Sequence, residues 1–208
     1  MIYTKENIQQ LDRITRLKII NSVSGIKPAN LIGTINQQGQ TNLAIFSSVV
    51  HLGSDPALLG FISRPQTPEV GHTYRNIQEN NYYTINHIHP EFIKNAHYTS
   101  AKFEADISEF KRCNLSEEYI NNFKAPFVKE STFKIGLSFK EAIDIKYNGT
   151  ILVIGEIEQL ILPDIAIIED DIDLEATNSV GISGLNSYYS LTKIDKHPYV
   201  RVNQVPEF

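Results

Sequence analysis

The stretch that decides the fold is residues 27–61, KPANLIGTINQQGQTNLAIFSSVVHLGSDPALLGF. Pro28 stops any helix arriving from the N-terminal side, and residues 29–35 read as a strand. NQQGQT (36–41) supplies a turn with Gly39 in it, and residues 42–52 return as the second arm of a hairpin. In GSDP (53–56) the residue before proline favours extended geometry, so a turn precedes a third strand at 57–63. One detail resists a purely structural reading. An apolar strand has no intrinsic reason to end in two adjacent serines, Ser47 and Ser48. They either begin a loop or bind something polar where the strand stops.

Outward from this segment the pattern stays mostly β. N-terminal to it, Ile8, Leu11, Ile14, Leu17 and Ile20 make one helical face, expected to lie against a sheet. C-terminal to it, HTYRNIQEN (72–80) reads as a short helix with Thr73 as its N-cap and Asn76 in the reciprocal capping position. YYTINHI (82–88) reads as a fourth strand. The region 90–126 is polar and expected to be helical, most clearly over 114–123, where Ser116 can cap and Glu117 and Glu118 suit the helix dipole. Long strands follow at 132–147 and 150–163, joined by the hairpin signal Asn148-Gly149. The expected fold class is mainly β, an antiparallel Greek-key β-barrel with peripheral helices, since closure removes sheet edges.

Composition limits the function. The 208 residues suit a single domain over 1–208, with 41% hydrophobic and 21% charged residues. A net charge of −5 argues against binding a nucleic-acid backbone, which needs a basic face. Any anion must be held by a few placed donors. The one cysteine, Cys113, leaves no intramolecular disulfide and no cysteine metal cluster. The N-terminus lacks the apolar core of a signal peptide, and no stretch reaches the roughly 18 apolar residues of a membrane span. A cytoplasmic protein with no membrane partner is expected.

No hydrolytic or metal site emerges. His87 and His89 lack a matching carboxylate or cysteine pattern and read as a polar strand end. Ser47 has no nucleophile-elbow glycines around it. EDDID (169–173) lacks calcium-loop spacing. What remains is a set of small polar donors at strand ends: Asn42, Ser47 and Ser48 on the second strand, Arg64 after the third, Thr73, Arg75 and Asn76 opening the helix, and Asn86 closing the fourth strand. A helix N-terminus with a hydroxyl in its first turn and an arginine nearby can hold a phosphate without a basic surface.

In this order the segments resemble the flavin reductase-like, FMN-binding split-barrel family. The carriers are the Pro-led strand, the Gly turn, the Asn-Leu-Ala-x-x-Ser strand and the Asp-Pro turn of 27–61. An arginine followed by Thr-x-x-Asn-Ile, EFKRCNLSEEY (109–119) and VIGEIEQLIL (153–162) continue the likeness. It is strongest over residues 10–192. The chain departs from the pattern at Ala57, where a proline is usual, at Ile26, and at GLNSYY (184–189), where a Gly-Gly pair before tyrosine is usual.

The resemblance implies an FMN site between the subunits of a homodimer. Asn42, Ala44, Ser47 and Ser48 would contact the ring and ribityl chain, Arg64, Thr73 and Asn76 would hold the phosphate, and Asn86 would support it. It implies an NADH- or NADPH-dependent flavin oxidoreductase with a monooxygenase or other redox protein as possible acceptor. The alternatives are a flavoredoxin-like electron carrier and a non-catalytic flavin-binding protein. Hydride transfer to flavin is the cofactor's chemistry, which accounts for the missing triad; His97 is the candidate for any acid–base role.

Overall fold

Residues 1–67 and 71–207 are described by a computed structural model of the chain. Its strands are β1 (Lys27–Pro28), β2 (Asn30–Ile35), β3 (Thr41–Phe46), β4 (Val50–Ser54), β5 (Ala57–Ser63), β6 (Tyr82–His87) and β7 (Glu117–Glu118). They continue with β8 (Phe127–Val128), β9 (Lys134–Ile145), β10 (Thr150–Ile161), β11 (Ile167–Ile168), β12 (Asp171–Ile172), β13 (Val180–Ser183) and β14 (Ser187–Ser190). The helices are α1 (Lys5–Gln10), α2 (Arg13–Ser22), α3 (His72–Asn80), α4 (Ile93–Tyr98) and α5 (Glu109–Arg112). None among the described residues is long and apolar enough to cross a membrane.

Seven strands form one sheet in the order β3–β2–β6–β9–β10–β5–β4, every neighbouring pair antiparallel. Laid flat, its two edge strands would stand about 29 Å apart at the usual spacing. Yet β3 and β4 are separated in sequence only by Ser47, Ser48 and Val49, a link that spans at most about 14 Å. The sheet therefore curls back on itself into a barrel whose open seam runs beside β3. The fold is the expected mainly β split barrel.

The interior is filled from both halves of the sheet by Ile32, Phe61, Tyr83, Ile85, Leu137 and Val153, and α3 closes one end with Ile77. On the outer face, Leu31, Leu43, Ile88, Phe92, Ala96 and Phe110 make a second cluster beneath α4 and α5, joined by Val180 and Ile182 of β13. The long β9–β10 arm has two register shifts, one of them next to Gly155, where a Cβ would overlap the Tyr83 hydroxyl. Only glycine lets that ring approach the strand so closely.

Four local expectations are corrected. The N-terminal helical face splits into α1 and α2, because the Asp12 carboxylate accepts from the Ile14 and Thr15 amides at 3.0 and 3.1 Å and starts a new helix. Neither helix buries a residue, since α4, α5 and β13 already cover the outer face. The strand expected over 42–52 breaks at Ser47 into β3 and β4. No helix forms over 114–123: Asn114, Asn121 and Asn122 take positive φ, and Glu117–Glu118 pairs with Phe127–Val128 instead. Finally, the N-cap of α3 is Gly71 at φ 98°, with no side-chain cap, so Thr73 lies inside the first turn.

Candidate functional site

The strand-end donors fall into two groups along β3. At its start, Asn42 is cross-strand partner of Thr34, and α3 packs over both. Asn42 Nδ2 donates to Thr73 Oγ1 at 3.1 Å, and Asn76 Nδ2 donates to Thr34 Oγ1 at 3.1 Å. All four side chains are buried. They tie helix to strand and leave the α3 first-turn amides without a side-chain cap. Asn86 is likewise internal: Nδ2 donates to Leu31 O and Thr84 Oγ1, and Oδ1 accepts from the Val128 amide at 3.0 Å. It stitches β2, β6 and β8 together, a supporting position rather than an open one.

The second group sits about 16 Å further along β3, at its end. The Ser48 hydroxyl accepts from the Ile62 amide at 3.0 Å and donates to the Ile62 carbonyl at 3.3 Å, pinning the β3–β4 link to β5. Arg64 follows two residues later, exposed, its guanidinium unpaired among the described residues. Ser47 makes no hydrogen bond, and the amides of Ser47, Ser48 and Val49 donate to no protein acceptor among the described residues. All three residues are half-buried. Three consecutive backbone amides left without a protein acceptor are available to a ligand or to solvent. Ala44, half-buried between the groups, adds no bulk above the strand.

The donor set suits an FMN-type ligand. Uncharged amides and a hydroxyl suit a polar heteroaromatic edge, while Arg64 and the uncapped first turn of α3 suit a phosphate. Asn30, opposite Phe46 at the end of β3, has both amide atoms buried without a partner, a further unsatisfied group at this end of the barrel.

His97 lies elsewhere. Its Nδ1 is 3.0 Å from the Tyr188 hydroxyl, in a cleft of about 420 Å³ lined by Pro90, Ile93, Lys94, Tyr98 and Asn186. Burial pushes the Tyr188 hydroxyl up to about 12. Tyr188 packs against the outer cluster that contains Leu43 and that Ile45 also joins, the face of β3 opposite Ala44, so the structure does not join His97 to the donor groups.

Sequence reasoning missed the residues that hold β3 in place. Glu109 of α5 is buried, and its Oε2 accepts from the Leu43 amide at 2.9 Å, capping the strand's free edge. Thr41 Oγ1 donates to Glu117 at 2.6 Å alongside it. Burial raises the Glu109 carboxyl pKa, and the Leu43 N–H pulls it part of the way back. The His87–His89 pair is structural. His87 Nδ1 meets Ser179 Oγ at 2.9 Å, while His89 contacts Asn178 O through Nδ1 and accepts from the Thr132 amide through Nε2.

Fold and site together define a split-barrel protein with a cradle of uncharged donors at a strand end. A family profile described as "Flavin reductase like domain" matches residues 26–169, well over half of the chain, and the chain belongs to the flavin reductase-like family. Its structure is similar to a proposed flavin reductase with a split barrel domain from Shewanella frigidimarina NCIMB 400. That pair shares a TM-score of 0.91 and 47% identity, over 96% of this chain and 100% of the other. Nitrilotriacetate monooxygenase component B from Bacillus cereus matches at a TM-score of 0.83 and 16% identity, over 95% and 98% of the two chains. Flavoredoxin of Desulfovibrio vulgaris (Miyazaki F) matches at 0.72 and 20%, over 84% and 92%. At these lower identities the likeness is one of fold.

Proposed function

We propose that the chain, as one domain over 1–208, binds FMN along β3 and works as an NADH- or NADPH-dependent flavin reductase. The observation that carries the reading is the run of amides at Ser47, Ser48 and Val49, which donate to no acceptor among the described residues, with the Ser47 hydroxyl likewise unbonded beside them. When bound, the flavin supplies the hydride chemistry between nicotinamide and acceptor. The protein's own part is to bind and orient. Ser47 and the three amides donate to the polar edge of the ring, and Ala44 keeps the surface above the strand low. Ser48 holds the link in place through Ile62, and Asn86 supports β2 and β6 behind it. Arg64 supplies charge to the phosphate, with Asn42, Thr73 and Asn76 fixing the first turn of α3.

In this reading the protein is a cytoplasmic homodimer that passes reducing equivalents to a monooxygenase or another redox protein. The likeness in fold to a monooxygenase component B supports that acceptor class. His97, hydrogen-bonded to Tyr188 in its own cleft, is the candidate proton donor if the acceptor site lies there.

The test has two stages. Titration of FMN into the protein should quench flavin fluorescence at micromolar protein, and absence of quenching would reject the cofactor. Anaerobic NADH or NADPH should then bleach the bound flavin. Bleaching by dithionite but by neither nicotinamide would move the assignment to the flavoredoxin-like electron carrier.

A further inference from the structure

Two surfaces of the chain are unpartnered and opposite in character. On α2, Ile14, Leu17 and Ile20 form an apolar stripe left 64%, 46% and 45% exposed, and no residue of the helix is buried. Arg13, Arg16 and Lys18 flank the stripe without an ion pair among the described residues, and the helix RITRLKIINS contains no acid. The second surface is the hairpin β11–β12 with its approach, DIAIIEDDIDLE (164–175), which has six acids and no base. Ile165, Ile167 and Ile168 stand exposed on it. Lys196 and Lys193 pair with Glu169 and Asp173, so this surface carries two cations against six acids, and Asp164, Asp170 and Asp171 form no ion pair among the described residues.

We infer that α2 of one copy docks on the β11–β12 hairpin of a second copy. Each surface joins exposed isoleucine or leucine side chains to a net charge, basic on α2 and acidic on the hairpin even with Lys193 and Lys196 paired there, and the two are complementary. Apolar burial supplies attraction, while the charges select this pairing over self-contact of either surface, which would set like charges together. In a two-fold dimer the contact is made twice, once in each direction. The inference rests on the homodimer of the proposed function and names which surfaces meet.

Sedimentation of the full chain at low salt tests it. Wild type should run at twice the 23.5 kDa chain mass. Reversing the helix charges, Arg13→Glu with Arg16→Glu and Lys18→Glu, should raise the dimer dissociation constant at least about tenfold. Reversing the hairpin, Asp164→Lys with Asp170→Lys and Asp171→Lys, should do the same. The two sets combined should restore association to within about threefold of wild type, a recovery that misfolding cannot produce. A wild-type monomer would overturn the homodimer and this contact together. A wild-type dimer that both charge sets leave intact, or that the combined set fails to restore, would overturn this contact alone.

Discussion

Ser48 and Ile62 exchange two hydrogen bonds across the seam of the barrel, hydroxyl to carbonyl and amide to hydroxyl, where no backbone ladder joins β3 to β5. The adjacent Ser47 makes none among the described residues. Two neighbouring serines thus have different tasks, one holding the link and one with its hydroxyl uncommitted among the described residues.

The pair makes a contrast that can be measured. Ser48→Ala removes the partner of the half-buried Ile62 amide and should cost about 1–3 kcal/mol of stability. Ser47→Ala should change stability by less than about 0.5 kcal/mol, as a surface substitution does, and weaken FMN by about 5- to 10-fold. Urea unfolding and flavin titration of both variants check this. Equal stability loss in the two would show that Ser47 is as structural as its neighbour.

Arg64 should read the phosphate. A charge-assisted hydrogen bond contributes about 1.5–3 kcal/mol, so Arg64→Ala should weaken FMN by roughly 10- to 100-fold. Riboflavin, which has no phosphate, should bind wild type and variant almost alike. Equal losses for both ligands would place Arg64 against the ring or in the fold.

Glu109 controls the edge of the strand that carries the site. Glu109→Ala leaves the Leu43 amide buried without an acceptor and should cost about 1–3 kcal/mol. Glu109→Gln keeps an acceptor and removes the charge. Because burial raises the carboxyl pKa in the fold, the protonated form is favoured there. Its contribution is full below the ordinary value of 4.5 and is lost as pH rises through the folded value. Wild type should therefore lose stability relative to Glu109→Gln as pH rises above 4.5. Parallel urea midpoints for the two proteins would show a constant difference if Glu109 titrates normally.

The hairpins were legible because their signals are local. The apolar run of β2, Gly39 at φ 81° and the return of β3 lie within seventeen residues of one another, and Asn148-Gly149 sits between two long apolar arms. The break at Ser47 was not legible, because the adjacent Ser48 is held by the Ile62 backbone, fourteen residues from it in sequence and on another strand. The failed helix at 114–123 has a similar cause. Its propensity and capping signals were sound, but the long-range pairing of Glu118 with Phe127 and its ion pair to Lys134 prevail. Of the candidate site, residue identities at the strand ends were readable. That Asn42, Thr73 and Asn76 engage β2, β3 and α3, while Ser47 stays free, depends on α3 packing and could not be read from spacing. Glu109 reaches a strand 66 residues before it, and nothing in its local sequence marks that role.

His87 gives the fold an acid limit that can be separated from the rest of the molecule. Its ring stacks on Phe133 at 4.0 Å between centroids, and its Nδ1 bonds Ser179 Oγ. Burial, with His89 adding a smaller push, lowers it from 6.5 to about 4. The folded state thus favours the neutral ring. The stability this provides is complete above 6.5, the ordinary value, and is lost as pH falls towards about 4. Over that window the loss should reach up to about 3 kcal/mol. His87→Asn, which can present an amide near the position of Nδ1, should be less stable than wild type at neutral pH through lost stacking. Its stability should nevertheless fall much less steeply between 6.5 and 4, so the two curves converge in acid. His89, buried and also lowered, leaves a residual slope common to both proteins. Chemical denaturation across this range, together with imidazole NMR shifts, measures the effect directly. An imidazole at position 87 that titrates near 6.5, or two parallel stability curves, would rule it out.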